Sequence, residues 1–394
     1  MRPRCAGSRV CCALLGILLH PSDPPSPLDT SFPEGHVNAP SRSTRPTPPA
    51  CSADTLPSLW LTPPTARVDP PLIVLLQHTP PLIGVAHGEH LDVVDLAAAR
   101  VTATWAAPSP IRGLARLADS TTLLAVDDDD RIWAITADGE QARSLLLKAL
   151  RTRPLALLER VPAGDVLIVD PDGAWLVPPA ETPDLSWHRL PGADVPLTIA
   201  TSQSDTLVAA DTLGRIWRWD LTTRPFAAPR RIGQARRPII DLAACHGIHS
   251  WVIATDLDGT VSLHRSTSRG LAVPLRLNTH RPALMVAIDA SCTVAAASDG
   301  ISVEFWDLGA DELESASWSL PSHEPIYNII ITPDGSALIA VGSTRLHIWK
   351  LVNIARPPTI ITITDNGPIA ATHLAEHLIL ASPSVIAWAD HYSM

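Results

Sequence analysis

Three observations predict an all-β chain folded as a closed β-propeller of four-stranded blades. A unit of about 42 residues recurs along the chain, within the span of a propeller blade. In unit after unit, a strand of small apolar residues leads through an Asp-Gly or Leu-Gly pair into a strand carrying Trp or Val. Such pairs supply the positive φ of a tight hairpin turn. A lone four-stranded sheet of this composition leaves both apolar faces bare, whereas stacking on neighbours buries them.

The repeats begin after a leader. Residues 20 to 56 are rich in Pro, Ser and Thr, a composition that buries too little apolar surface to offset ordering entropy. The chain thus divides into a disordered leader at 1–56, with a possible targeting segment, and a propeller at 57–394. Met1 to Arg9 is basic and Val10 to Leu19 apolar, as in a signal peptide, but His20-Pro21 follows with no small-x-small cleavage site.

The clearest repeat runs from Tyr327-Asn328-Ile329-Ile330-Ile331 through Pro333-Asp334-Gly335 to Ala337-Leu338-Ile339-Ala340-Val341 and Leu346-His347-Ile348-Trp349. Three further copies share its second half. Leu207-Val208-Ala209-Ala210-Asp211 leads into Arg215-Ile216-Trp217-Arg218-Trp219-Asp220. Trp251-Val252-Ile253-Ala254-Thr255-Asp256 leads through Asp258-Gly259 into Val261-Ser262-Leu263. Val294-Ala295-Ala296-Ala297-Ser298 leads through Asp299-Gly300 into Val303-Glu304-Phe305-Trp306-Asp307. Third-strand anchors fall at Val94, Trp133, Trp175, Trp217, Val261, Trp306, Trp349 and Trp388, which predicts eight blades, with seven as the alternative. No room is left after Trp388 for a fourth strand, so Ser58-Leu59-Trp60-Leu61 is expected to supply it and close the ring.

These copies resemble WD40 repeats over residues 72 to 390. Trp219-Asp220 and Trp306-Asp307 match the family's closing dipeptide, Ile132-Trp133-Ala134 and Ile348-Trp349-Lys350 are degenerate forms, and Asp258-Gly259 and Asp299-Gly300 match its aspartate-bearing turn. The Gly-His pair that opens a typical repeat is missing, which puts the His–Asp–Trp hydrogen-bond network in doubt. A narrower resemblance, carried by Leu123 to Asp128, Val166 to Asp170 with Asp172-Gly173, and Leu207 to Asp211, is to the non-catalytic WD-repeat subunit of the tRNA guanine-N7 methyltransferase. That family positions a catalytic partner and has no active site of its own.

Composition narrows the function classes. A formal charge of -10 argues against a chain that coats nucleic acid over its whole surface, and a mean hydropathy of +0.15 without a stretch of ~20 apolar residues argues against a membrane span. Four of the six cysteines, Cys5, Cys11, Cys12 and Cys51, lie in the leader. Cys245 and Cys292 alone fall in the repeats, so no disulfide framework and a reduced compartment are expected. Asp127-Asp128-Asp129-Asp130 reads as a solvated turn, because consecutive aspartates point in different directions instead of forming a cation cage. The pairs His87/His90 and His246/His249 read as turn histidines, lacking the further ligands a metal needs. No phosphate loop, nucleophile elbow or H-E-x-x-H motif is present.

One region departs from this. Between Gly214 and Arg281 stand 11 arginines against 4 aspartates. Arg224, Arg230, Arg231, Arg236 and Arg237 form a candidate patch for phosphate backbone or an acidic protein surface, with a solvated outer face as the plainer alternative. The sequence therefore predicts a non-enzymatic scaffold that binds other proteins, without cofactor, metal, membrane or small-molecule substrate. The alternative is a non-catalytic subunit of a tRNA-modifying or other RNA-handling complex. Cytoplasm or nucleus is the expected location; secretion or organelle import is the alternative if residues 1–19 act as a signal.

Overall fold

The computed structural model describes residues 51–52, 58–60, 72–78, 81–117, 122–138, 141–149, 154–159, 166–177, 187–192, 195–203, 205–222, 225–245, 250–265, 274–309, 317–322, 324–351, 358–362, 370–374, 377–381 and 385–390. Their regular structure is antiparallel β almost throughout. Among them no helix is long and apolar enough to cross a membrane.

Repeats 1 to 7, each of four strands, run from Leu72 to Ala106, Ile111 to Ala149, Ala156 to Arg189, Leu197 to Gln234, Ile239 to Leu277, Met285 to Pro321 and Ile326 to Thr362. Repeat 8 contributes three strands of its own, Ala370–Leu374, His377–Ala381 and Val385–Asp390. All eight sequence anchors lie on third strands. The second strand is the most completely buried: every residue of Thr122–Asp127, Val166–Asp170 and Ala337–Gly342 is buried. It is flanked by strands on both edges and by neighbouring repeats on both faces, so small and β-branched side chains fill it without voids.

The expectation of a closed ring of eight blades is corrected by the sheet hydrogen bonding. Among the described residues the strands form seven sheets: one of eight strands, one of five and five of four. Counting each hydrogen-bonded sheet as one blade gives seven. Repeats 1 and 2 share the eight-stranded sheet, because their outer strands pair in parallel at Gln141↔Thr104. Trp105 and Trp133, tilted at 55° with ring centroids 5.7 Å apart, pack the two halves together. Nor is the propeller closed: among the described residues no ladder joins the first strand of repeat 1, Leu72–His78, to the last sheet.

The N-terminal region does supply the expected fourth strand of the last sheet, and it adds a strand to one further outer edge. Ser58–Trp60 pairs antiparallel with Val385–Asp390, at Ser58↔Ala387 and Trp60↔Val385. Cys51–Ser52 pairs in parallel with Ile361 and Thr362, giving the sheet of repeat 7 its fifth strand.

The core is a series of seams, each shared by consecutive repeats. Leu207, Ala209 and Trp219 of repeat 4 pack with Leu167, Leu176 and Leu190 of repeat 3. Val208, Ala210 and Ile216, on the other face of repeat 4, meet Ile239, Val252 and Ala254 of repeat 5. Alternation along each strand thus serves two seams at once.

A second correction concerns the cysteines. Cys245 and Cys292 form a disulfide, with Cα atoms 5.4 Å apart. Cys245 follows the first strand of repeat 5, and Cys292 occupies the corresponding hairpin of repeat 6. The bond staples two neighbouring repeats at one end of their sheets, and both residues belong to the same seam.

Candidate interaction face

Turns between second and third strands and connections between repeats lie on one face, here termed the turn face. Backbone hydrogen bonds knit them into a belt across repeats 4 to 7. Ala235 N–H donates to Gly214 O (2.8 Å) and Leu257 N–H to Pro238 O (2.9 Å). Ala283 N–H then donates to Gly259 O (3.0 Å), Leu284 N–H to Ser298 O (2.7 Å) and Ile326 N–H to Gly300 O (2.7 Å). Two glycines make the close approach possible. Gly214 has φ +73° and its missing Cβ would lie 2.4 Å from Arg237 O; Gly259 has φ +75° with Pro282 Cβ at 2.3 Å.

Aspartates at the ends of second strands hold the turns. Asp211 Oδ1 accepts hydrogen bonds from the Leu213 and Arg215 amides at 2.9 and 3.0 Å. Its Oδ2 accepts from Arg215 Nε at 2.6 Å and Trp217 Nε1 at 2.8 Å. Arg215 also lies 5.1 Å above the Trp217 ring. Asp127 repeats the arrangement with Arg131 Nε at 2.8 Å and Trp133 Nε1 at 2.9 Å, and Asp170 receives Trp175 Nε1 at 3.2 Å. Burial works to raise the Asp127 and Asp211 carboxyls. The Trp and Arg hydrogen bonds outweigh it and hold both below the usual carboxylate value. The shared signal, Asp-x-x-x-Arg-Ile-Trp at 127–133 and 211–217, is readable in the sequence and was not among the motifs singled out above.

The acidic run is accordingly more than a solvated turn. Asp127 is buried and bonded as described, Asp129 pairs with Arg131, and Asp130 pairs with Arg112. His87 is also not a free turn histidine: it is buried at a strand end, with Nε2 3.0 Å from Asp92 Oδ2, while Asp92 Oδ1 accepts from Thr104 Oγ1 at 2.6 Å. His246 and His249 lie outside the described residues. Among the described residues no group of three or more His, Cys, Asp or Glu could hold a metal ion. One buried histidine went unremarked in the sequence. His264 Nε2 lies 2.9 Å from Ser262 Oγ, and burial lowers its pKa to about 4, so the ring is neutral near pH 7.

The five candidate arginines do not occupy one spot. Arg224 lies outside the described residues. Arg230 and Arg231 are on the outermost strand of repeat 4, where Arg230 pairs in register with Arg218, and Arg231 contacts Gln234. Arg236 and Arg237 lie beyond that strand, on the connection to repeat 5, and so on the turn face. Both are exposed, and Arg237 Nε reaches Asp258 Oδ2 at 3.2 Å.

The turn face is chemically divided. In repeats 1 to 3 its turns expose Asp128, Asp129 and Asp172. In repeats 4 to 7 the turns, the connections and the strand starts beside them expose large apolar side chains: Leu213 (55%), Leu257 (57%), Leu284 (53%), Ile301 (53%) and Tyr327 (61%). In the sequence Leu213 stands in a turn and Tyr327 on a strand, and nothing there marks the five as a set. For Leu213, Leu257 and Ile301 the signal was an apolar residue at hairpin positions that usually carry polar ones.

No family model matches the sequence, and no curated protein does. Solved structures match the fold. The chain is similar to the crystal structure of the RRP9 WD40 repeats, with TM-score 0.51 and 16% identity over 72% of this chain and 90% of that one. It is similar also to Sqt1 of Saccharomyces cerevisiae, with TM-score 0.61 and 11% identity over 84% of this chain and 98% of that one. The computationally designed Ika8 gives TM-score 0.62 and 10% identity over the same shares, 84% and 98%. The fold is a β-propeller, as in these structures. At these identities the likeness speaks for the fold alone.

Proposed function

We propose that this chain is a non-enzymatic scaffold, which assembles partner proteins on the loop surfaces of its propeller. One observation carries the reading. The polar groups that catalysis would need are engaged in architecture: Asp127 and Asp211 each bond two turn amides, an arginine and an indole. What the turn face offers is therefore a fixed surface, and fixed loops bind without a large ordering cost. The WD40-type neighbours support the same reading, since such propellers generally serve as scaffolds. Affinity purification of the full chain, with quantitative mass spectrometry, tests it. A reproducible set of stoichiometric partners is expected. A chain that purifies alone and turns over a substrate would overturn the scaffold reading.

The exposed Arg230, Arg236 and Arg237 favour a second reading, a non-catalytic subunit of an RNA-handling complex such as a tRNA guanine-N7 methyltransferase. Affinity for tRNA would then fall steeply with salt and vanish on charge reversal of Arg230, Arg231, Arg236 and Arg237. Affinity unchanged by that reversal sinks this alternative. As to location, cytoplasm or nucleus is what a scaffold of this kind suggests. The Cys245–Cys292 bond supports the other option, secretion or organelle import, because disulfides persist in oxidising compartments. Alkylating free thiols in intact cells decides between them: protection of both residues fits an oxidising site, and labelling of both fits a reducing one.

A further inference from the structure

Exposed leucines and isoleucines are ordinary when scattered. Here they are not scattered. Of the eight large hydrophobic residues exposed among those described, five lie on the turn face, all in repeats 4 to 7. Leu213, Leu257 and Ile301 come one from each turn of three successive repeats, Leu284 from the connection between repeats 5 and 6, and Tyr327 from the start of the first strand of repeat 7. A hydrophobic residue at the tip of a tight turn does nothing for the turn itself. The Asp caps and positive-φ glycines already make it.

The belt of backbone hydrogen bonds holds these side chains in a fixed order. Ala283 bonds the turn of Leu257, Leu284 bonds the turn of Ile301, and Ile326, next to Tyr327, bonds the same turn. Arginines surround the row: Arg236, Arg237, Arg281 and Arg345 are all exposed. Against them stand Asp258, paired with Arg237, Asp299, whose side chain is 7% exposed and lies 3.6 Å from Arg281, and the half-buried Glu324, which accepts a hydrogen bond from Thr344 Oγ1 at 3.1 Å. Arginine-rimmed apolar anchors on a preformed surface are the makings of a binding hot spot. The opposite half of the face, with Asp128, Asp129 and Asp172, repels a negatively charged ligand and so fixes its placement.

We infer that the turn face of repeats 4 to 7 is a docking site for an acidic segment of a partner protein carrying aliphatic or aromatic anchors. The inference rests on the scaffold reading and names its surface. Leu257 and Ile301 form the centre, and Arg236 and Arg345 belong to the rim that steers and orients the acidic chain. Nucleic acid fits this surface less well, because a phosphate backbone has no use for a row of aliphatic side chains.

The test uses the full chain and a synthetic peptide with Leu and Phe anchors spaced among Glu residues. Two controls are the same peptide with Lys for every Glu, and with Ser for every Leu and Phe. Fluorescence anisotropy is expected to show binding of the first peptide only, weakening as salt rises. Leu257→Ser with Ile301→Ser should lower its affinity roughly tenfold or more. Arg236→Glu with Arg345→Glu should lower it comparably and flatten the salt dependence. All four residues are exposed, so unchanged circular dichroism and melting temperature show that each variant is folded.

Equal binding of the Lys peptide, or affinity indifferent to both double variants, would overturn the inference. So would loss of self-association by the Leu257→Ser/Ile301→Ser protein, which assigns the face to a second copy, or loss of tRNA binding, which assigns it to RNA. Comparing partners co-purified with wild type and with that variant separates the two levels of reading. Partners retained in full by the variant overturn the surface and leave the scaffold standing, whereas no partners on the wild type removes both.

Discussion

Breaking the Cys245–Cys292 bond is expected to cost this protein much of its stability. The bond closes a loop between residues 47 apart in sequence. For a loop of that length the chain-entropy relation gives about 4 kcal/mol, as restriction removed from the unfolded ensemble. With an m-value of about 3 kcal/mol/M, the urea midpoint should fall by roughly 1.3 M. The assay compares oxidised protein, protein reduced with dithiothreitol, and the variant Cys245→Ala/Cys292→Ala. The reduced protein keeps every side chain in the seam and isolates the cross-link, whereas the variant also loses two buried sulfurs and should unfold somewhat earlier. A midpoint unchanged on reduction, with alkylation showing both thiols free, would refute the argument. It would mean that the packing of Ala243, Leu263, Val286 and Trp306 already restricts the two repeats as strongly as the covalent bond does.

Three further outcomes are expected. Trp217→Phe removes one hydrogen bond from the buried Asp211 carboxylate and should cost about 1 to 3 kcal/mol of unfolding free energy, measured by urea titration at pH 7. Because the Asp211 carboxyl titrates below its usual value in the folded state, its contribution is present above the unfolded value and is lost as pH falls through the folded one; the variant should therefore lose less stability than wild type on going from pH 5 to pH 3. His264, a base with a depressed pKa, has a consequence of the same sign: the unfolded chain takes up a proton near pH 6.5 and the folded one only near 4, so stability falls as pH drops across that window. His264→Gln, assayed by urea midpoints at pH 7 and pH 5, should show a smaller loss, and an equal loss would contradict the neutral-histidine assignment. Gly214→Ala places a methyl 2.4 Å from the Arg237 carbonyl at a φ of +73°, and should lower stability by about 1 to 3 kcal/mol; hydrogen exchange should rise in the 235–238 connection more than in the seams.

The repeats were legible because their signal is local. Glycine at 214 and 259 and tryptophan at 217, 306 and 349 each answer to the geometry of a single hairpin or strand. The sheet count was not legible, because it turns on a pairing between residues 104 and 141 that belongs to the outer edges of two repeats and leaves no mark on either alone. The disulfide was hidden for a related reason. Cys245 and Cys292 stand about one repeat apart, a spacing that means nothing in a list of cysteines and becomes a contact once consecutive repeats lie side by side. The arginine cluster was visible as composition but not as a surface. Arg231 and Arg236 are five positions apart, yet one belongs to an edge strand and the other to the turn face. The apolar row was equally present in the sequence, but Leu213, Leu257 and Ile301 look like noise until the turns that carry them share a face.

The pairing of Ser58–Trp60 with Val385–Asp390 has a consequence for the order of assembly. It joins segments from near the two ends of the chain, so its closure entropy exceeds that of any hairpin within a repeat. The internal repeats can nucleate and stack while both partners are still apart, and this ladder zips last. During synthesis, the early strand must wait for all of repeats 1 to 7 to emerge before it finds its mate. The edge it will cover stays open meanwhile, which makes that sheet the point where a nascent chain is most exposed to chaperones, to swapping with a second copy, and to aggregation.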